Sequence, residues 1–197
     1  MLKINWYRRL KRMLDIIFSL CVMLTVFPIA YILFGVLIKC SSRGPVLFKQ
    51  RRTGLCGREF DCYKFRSMRL NREANEVSAR TNDPRITRIG RFLRFSNLDE
   101  IPQFWNVLKG DMSVVGPRPH MLKHTEYYSK IIDNYMERHC VQPGITGWAQ
   151  VQGFHGATQT LEQMEGRVRL DRWYVQNRSL GLDVKIFFKT IHILCIH

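Results

Sequence analysis

Two acidic residues, Asp99 and Glu100, stand side by side at the start of a run, Leu98 to Lys109 (LDEIPQFWNVLK), that has helical spacing and ends at Gly110. Leu98, Ile101, Trp105 and Leu108 would share one side of that helix. Pro102 lacks an N–H and is accommodated only in a first turn, so the helix is expected to begin near Leu98 or Asp99. Both carboxylates would then sit at its N-terminal end, where the macrodipole and free amides favour their ionised forms. On its own such a pair merely caps a helix. Its neighbours suggest more. Arg94 lies just upstream, and Gly116-Pro117-Arg118-Pro119 follows the helix. A glycine and two prolines fix the backbone around Arg118, as expected where a guanidinium must be held in place. A carboxylate nucleophile, arginines and a helix N-terminus together suit a phosphoryl group.

Other candidates for chemistry are weaker. Gln142-Pro143-Gly144-Ile145-Thr146-Gly147-Trp148 reads as a rigid turn. Trp148 could stack on a base or a sugar, although a tryptophan in such a place is more often core. His120 and His124 stand at i, i+4 without an HExxH pattern and are read as surface residues. The six cysteines form no CxxC pair, which speaks against a zinc or redox site and for reduced thiols.

The elements that must position these groups are legible in outline. Val46 to Arg52 and Glu59 to Phe65 are β-rich and joined by Thr53-Gly54-Leu55-Cys56-Gly57, which predicts a hairpin. Asn71 to Pro84 is polar and reads as loop or short helix. Arg85 to Phe95 spaces arginines at 85, 88, 91 and 94 among Ile86, Ile89, Phe92 and Leu93. As a helix it is basic and amphipathic, suited either to a phosphate-bearing membrane surface or to a solvated face over a core stripe. Thr160 to Gln176 is expected to be helical, with Thr160 and Gln163 at capping-box spacing. Leu182 to Ile196 sets Leu182, Ile186, Phe187, Ile191 and Leu194 against Lys185 and Lys189, and would lie comfortably on a bilayer.

The 197 residues suffice for one compact domain, and 46% hydrophobic with 24% charged residues excludes a disordered chain or a multi-pass membrane protein. The 31 Lys and Arg outnumber 16 Asp and Glu, a net charge of +15 that calls for nucleic acid, anionic lipid or a phosphorylated substrate. No zinc-finger, RNP-like or helix-turn-helix signature supports nucleic acid, and it is not expected as a partner.

Ile16 to Ile38 is a run of 23 residues without a charge. At about 1.5 Å per residue it would just span a bilayer as a straight helix. The run is too long for a signal-peptide h-region, and no cleavage site follows. Lys3, Arg8, Arg9, Lys11 and Arg12 precede it, while Lys39, Arg43, Lys49, Arg51 and Arg52 follow. The positive-inside tendency draws both flanks to the cytoplasm, which one span cannot satisfy. A helix bent at Pro28 and returning to its own face would do so; a kinked single-pass anchor is the alternative, and charge leaves the two balanced. Asp15 is expected to pair with Arg12 or Arg8.

Four ordered stretches bring these observations together: Leu98-Asp99-Glu100, Asn106 to Ser113 (NVLKGDMS), Val115 to Pro119 (VGPRP), and Pro143 to Val151 (PGITGWAQV). With them the chain resembles the bacterial sugar transferase family, the monotopic polyprenyl-phosphate phosphoglycosyl transferases, from about Lys11 to Leu194. The resemblance implies an α+β fold: a mostly helical membrane-associated domain with a re-entrant, Pro-broken N-terminal helix, a small β-hairpin and interfacial amphipathic helices. It divides the chain into a basic pre-segment and membrane helix over 1–40 and a cytoplasmic catalytic domain over 41–197. It implies transfer of a sugar 1-phosphate from a UDP-sugar to undecaprenyl phosphate at the inner leaflet of the bacterial inner membrane, releasing UMP. That is the opening step of exopolysaccharide, capsule or O-antigen assembly.

Asp99 and Glu100 map to the catalytic pair, with Asp99 forming a phosphosugar-enzyme intermediate. Arg94, Arg118 and Lys64 map to phosphate-binding positions, Pro28 to the helix break, and Glu100 to a ligand for the required Mg²⁺. Phe27 stands where some members carry a serine whose hydroxyl could satisfy backbone groups freed at the break, a task Thr25 could take over. Gly153 to Glu162 looks most like members that use UDP-glucose or UDP-galactose. Larger members carry further transmembrane helices before this unit, so the chain is expected to be either a minimal enzyme or a catalytic half. Self-association is left open. Two rivals make different predictions. A membrane-bound glycosyltransferase would release UDP, and a basic membrane-surface adaptor would use the acidic pair only as a cap.

Overall fold

The computed structural model describes residues 2–70, 83–156 and 160–196. It is mostly helical, with a small antiparallel hairpin and one long apolar N-terminal helix. That helix, α1 (Leu2–Ser41), is one element across Pro28. It lays a single seam on the rest of the molecule. Asp15, Ser19, Ala30, Phe34 and Ile38 are buried, while Leu24, Ile29, Ile32 and Val36 are exposed. Such an apolar surface is stable in lipid and not in water, so α1 is a membrane-associated helix.

The two ends of the seam meet the same body. Near its start, Arg12 donates to the carbonyls of Val107 (2.6 Å) and Leu108 (3.0 Å), and Phe18 packs edge-on against Phe104 and Phe187. Near its end, Phe34 packs on Phe65, and Arg66 donates to the carbonyls of Ser42 (2.7 Å) and Arg43 (2.9 Å). Asp15 does not pair with Arg12 or Arg8 as expected. It accepts hydrogen bonds from Ser113 Oγ (2.7 Å) and the Val114 N–H (3.1 Å), because its side of the helix faces the body while Arg12 reaches the carbonyl end of a neighbouring helix. Nor does Thr25 serve Pro28. Its hydroxyl donates to the Cys21 carbonyl (2.7 Å), whereas the carbonyl that Pro28 leaves without a helical donor is that of Leu24.

The expected hairpin forms from β1 (Leu47–Thr53) and β2 (Glu59–Phe65), in register from Leu47 opposite Phe65 to Thr53 opposite Glu59. The next helix, α2 (Arg88–Phe95), begins three residues later than the arginine spacing suggests. Thr87 caps it by accepting from the Gly90 N–H (3.0 Å), and Arg85 pairs with Asp83 outside it (2.7 Å). Gly90 packs against the chain leaving β2 so closely that a Cβ there would lie 1.8 Å from the Ser67 carbonyl oxygen. The reading of Asn71 to Pro84 lies mainly outside the described residues.

The acidic pair is not in the first turn of an α-helix. Leu98–Glu100 form a tight 3₁₀ turn, and α3 (Gln103–Lys109) follows, ending at Gly110 with φ +91°. Pro102 explains the displacement. It has no N–H to give the Leu98 carbonyl, which takes the Ile101 N–H instead (3.3 Å), and i→i+3 bonds persist through Trp105. The tighter winding rotates the buried side of α3 to Gln103, Asn106 and Val107, leaving Trp105 exposed.

The rest forms a compact shell. A short strand β3 (Ser113–Val115) precedes α4 (Leu122–Ile131), and β4 (Gly144–Thr146) pairs in parallel with β3. The expected turn over 142–148 therefore contains a strand. Next come α5 (Trp148–Val151), α6 (Leu161–Asn177) and α7 (Leu180–Ile196). Thr160 caps α6 through the Gln163 N–H (3.3 Å), as its spacing predicts. The main core joins Cys62, Val107, Met112, Val114, Val115, Tyr174 and Ile186. Ile186 thus faces the core, whereas Phe188, Ile191 and Leu194 on α7 stay exposed, as do Phe92 and Phe95 on α2.

Candidate active site

Asn106 couples the acidic turn to the hairpin. Fully buried, it donates to the Asp61 carbonyl (2.7 Å) and accepts from the Tyr63 N–H (2.9 Å), imitating a strand partner along β2. This fixes α3 and its 3₁₀ lead-in beside the end of the hairpin that carries Lys64. Asn106 is a positioning residue that did not emerge from reading the sequence, although it opens one of the four shared stretches.

Glu100 is the anchored member of the pair. Lys64 Nζ lies 2.6 Å from its Oε1, and Arg118 grips both oxygens, through Nη1 on Oε2 (3.0 Å) and Nη2 on Oε1. Burial alone would raise its pKa, but Arg118 and Lys64 outweigh it and hold the carboxyl well below the usual range. Glu100 in turn raises the pKa of Arg118.

Asp99, next to it and only 6% exposed, makes no hydrogen bond or ion pair among the described residues. Burial pushes its pKa up, opposed mainly by the charge of Lys64, while Glu100 adds to the rise. One carboxylate is therefore locked by cations and the other is left free. A nucleophile needs that condition, because lone pairs committed to guanidinium hydrogen bonds are not available for attack. Arg94 completes the cluster. Its charge acts on Asp99, and its buried Nη1 has no hydrogen-bond partner. A buried donor without an acceptor is a costly arrangement that an anion would relieve. The structure thus brings Asp99, Glu100, Lys64, Arg94 and Arg118 together; Pro28 lies apart in α1.

Of these residues, Glu100 lines a cavity of about 620 Å³, whose other polar lining includes Asn97, Thr146 and Gln150. Phe18 of α1, Phe92 of α2, Phe104 of α3 and Phe187 of α7 form much of its apolar wall. The membrane-associated helix is therefore a wall of the cavity.

No group of three or more His, Cys, Asp or Glu side chains able to hold a metal occurs among the described residues. Mg²⁺ commonly needs less from a protein, one or two carboxylates with the remainder from water and substrate phosphates. Glu100 Oε2 accepts one hydrogen bond, from Arg118, and keeps a lone pair. The donor set therefore fits a Mg²⁺ that arrives with a diphosphate rather than one held by the protein alone.

Of the two histidines read as surface residues, His120 is buried and His124 half-buried. His120 and His139 are buried, and His120 Nδ1 meets the Tyr135 hydroxyl. Burial lowers both pKa values, that of His139 to about 3, so both are neutral packing groups. Trp148 stacks on Trp173 with ring centroids 5.2 Å apart, the packing role of the two suggested by sequence. The six cysteines are unpaired.

Comparison with known proteins identifies the relatives of the chain. The family described as "Bacterial sugar transferase" matches residues 6–197. A UDP-glucose:undecaprenyl-phosphate glucose-1-phosphate transferase of Escherichia coli K12 is 48% identical over 93% of this chain and 40% of its own length. An exopolysaccharide production protein PSS of Rhizobium leguminosarum bv. phaseoli is 45% identical, covering 92% of this chain and 93% of its own length. An undecaprenyl-phosphate galactose phosphotransferase of Salmonella typhimurium is 39% identical over 95% of this chain and 40% of its own. The chain spans about two fifths of the Escherichia and Salmonella relatives. With nearly its whole length matched and the acidic pair, Lys64 and the arginines gathered in one place, the chain belongs to the bacterial sugar transferase family.

Proposed function

We propose that the chain transfers a sugar 1-phosphate, glucose 1-phosphate or galactose 1-phosphate, from a UDP-sugar to undecaprenyl phosphate. The observation that carries this reading is the division of labour between two adjacent buried carboxylates, Glu100 held by Lys64 and Arg118, and Asp99 without a hydrogen bond or ion pair among the described residues. The names of the relatives supply the substrates, and the apolar cavity beside Glu100 suits a lipid acceptor.

Asp99 attacks the phosphorus that bears the sugar. A bond forms from its carboxylate oxygen to phosphorus and the bond to UMP breaks, leaving an aspartyl phosphosugar. A phosphate oxygen of undecaprenyl phosphate then attacks the same phosphorus, which releases Asp99 and yields the undecaprenyl diphosphosugar. Arg94, Arg118 and Lys64 supply positive charge where the phosphoryl oxygens gather it. Mg²⁺, held by Glu100 together with the donor's diphosphate, would neutralise charge on the departing UMP.

The lipid acceptor requires this site at a membrane surface. In α1 the residues at both ends of the apolar run contact the same body, through Arg12 and Phe18 at one end and Phe34 and the last-turn carbonyls at the other. A helix crossing the bilayer would place those ends on opposite sides. The contacts favour a helix that enters and leaves by the cytoplasmic face of the inner membrane.

The test uses purified protein, undecaprenyl phosphate, Mg²⁺ and a panel of UDP-sugars, with the nucleotide product identified. UMP that requires both Asp99 and the acceptor is expected. UDP would refute the phosphosugar route in favour of glycosyl transfer, and release of neither nucleotide from a folded sample would favour a membrane-surface adaptor.

A further inference from the structure

The Gly116 to His120 segment presents Arg118 to Glu100, yet Pro117 and Pro119 have no N–H with which to tie it down. The Gly116 N–H donates to the Thr146 carbonyl (2.8 Å), and beyond it the segment is held from its carbonyl side. The Pro117 carbonyl accepts from the Gly144 N–H (2.9 Å) and the His120 carbonyl from the Thr53 N–H (3.0 Å). Between them, two arginines from other elements complete the grip. Arg138 Nη2 donates to the Arg118 carbonyl (2.6 Å), and Arg52 Nη1 donates to the Pro119 carbonyl.

Arg138 is itself fixed by Asp171 of α6, which accepts from its Nε (3.0 Å) and Nη2 (2.6 Å), with both side chains almost wholly inaccessible. The Arg138 guanidinium also lies over the Tyr135 ring, 5.6 Å from its centroid. A buried ion pair is weak evidence of a contribution to stability, since well-packed apolar replacements often do as well. What an apolar pair cannot do is hold the main-chain oxygen of Arg118, and with it the direction in which that side chain leaves the backbone.

We propose that Arg138, oriented by Asp171, is a positioning residue for Arg118 and so for the anion that Arg118 meets. The inference rests on the function proposed above only in taking that anion to be the donor's diphosphate. Arg138 touches neither the acidic pair nor the reacting atoms. It acts on one backbone carbonyl.

The test is a cycle in the full chain between Arg118→Ala and the paired change Arg138→Met with Asp171→Leu. The paired change removes both charges together, so neither is left buried alone. Inorganic pyrophosphate binding is measured by calorimetry, UMP release is measured with the UDP-sugar panel, and thermal unfolding confirms the fold. With Arg118 present, the paired change is expected to weaken pyrophosphate binding about tenfold and to lower kcat by about 10- to 100-fold. In the Arg118→Ala background it is expected to change neither, because the side chain it orients is gone. Equal losses in both backgrounds would show general damage and overturn the proposal. So would no loss with Arg118 present, or a wild-type chain that binds no pyrophosphate. Should the paired variant not fold, Arg138→Lys enters the same cycle, since an ammonium can pair with Asp171 but lacks the planar fork that also reaches the carbonyl. A wild type that releases no UMP would sink the proposed function, while the pyrophosphate cycle would still decide this one.

Discussion

Isosteric amides at positions 99 and 100 should separate chemistry from stability in opposite ways. Glu100→Gln keeps the shape but removes the charge that Lys64 (2.6 Å) and both Arg118 nitrogens converge on. The new amide nitrogen is a donor facing donors. Breaking a buried pair by removing one partner costs about 3–5 kcal/mol. Lys64 and Arg118 keep 14% and 20% side-chain exposure, so water relieves part of the loss and the lower end, about 3 kcal/mol, applies. For a domain of this size that lowers Tm by about 6–12 °C. Asp99→Asn removes no hydrogen bond, and it removes a carboxylate whose pKa is raised because burial outweighs the attraction of Lys64. A buried acid with a raised pKa favours the folded state only when protonated. At neutral pH its replacement by a neutral amide should therefore leave Tm unchanged or higher. Transfer activity should nonetheless fall to background, because an amide cannot form the phosphosugar link. Paired thermal melts and UMP release on the two variants read both effects. An Asp99→Asn protein that melts as early as Glu100→Gln, or that still turns over, would refute the division of roles.

Because Asp99 must be ionised to attack and its pKa is raised, the acid limb of kcat against pH should lie above the ordinary carboxylate value of about 4. The stability given by Glu100, whose pKa is depressed in the folded state, is fully present above its unfolded value and lost only progressively as pH falls from there toward the folded one, so activity should disappear on acidification before the fold does. Single cysteines at positions 5 and 45, in a background without the native thiols, should both be protected from an impermeant reagent added outside cells; labelling at position 5 alone would instead support a spanning helix. Gly144→Ala should abolish activity, because its Cβ would lie 2.1 Å from the Gly116 N and push apart β4 and the segment carrying Arg118. A fully active alanine variant would contradict that packing.

The acidic pair, the arginine between prolines and the hairpin were legible because each depends on short-range chemistry. Proline restricts the backbone wherever it stands, and the alternation and glycines of the hairpin need no distant partner. The start of α3 was misplaced because the spacing was read as 3.6 residues per turn from Leu98, whereas the N–H missing at Pro102 tightens the first turns to i→i+3 and rotates the face behind them. The position of His120 is hidden from the sequence for another reason. The burial of His120 depends on Tyr135 and on packing from other elements, which no local pattern records. Arg138, Arg52 and Asn106 act on main-chain atoms of segments remote in sequence, and a carbonyl carries no residue type that a motif could reveal; Asp171 acts one step further back, on the Arg138 guanidinium.

The same long-range contacts bind membrane association to chemistry. Phe18 lies on α1 yet forms a wall of the cavity that reaches Glu100, and its neighbour Asp15 holds Ser113 and Val114 on β3. The β3 strand leads directly into Gly116 and the segment bearing Arg118, whose grip on Glu100 leaves Asp99 the free member of the pair. A helix that lay loosely in the bilayer would leave both the cavity wall and the β3 support undetermined. In this chain the way α1 seats on the body therefore shapes the site. Replacing the exposed face of α1 with other apolar residues should be harmless, whereas replacing Asp15 or Phe18 should affect turnover even though neither meets the phosphate.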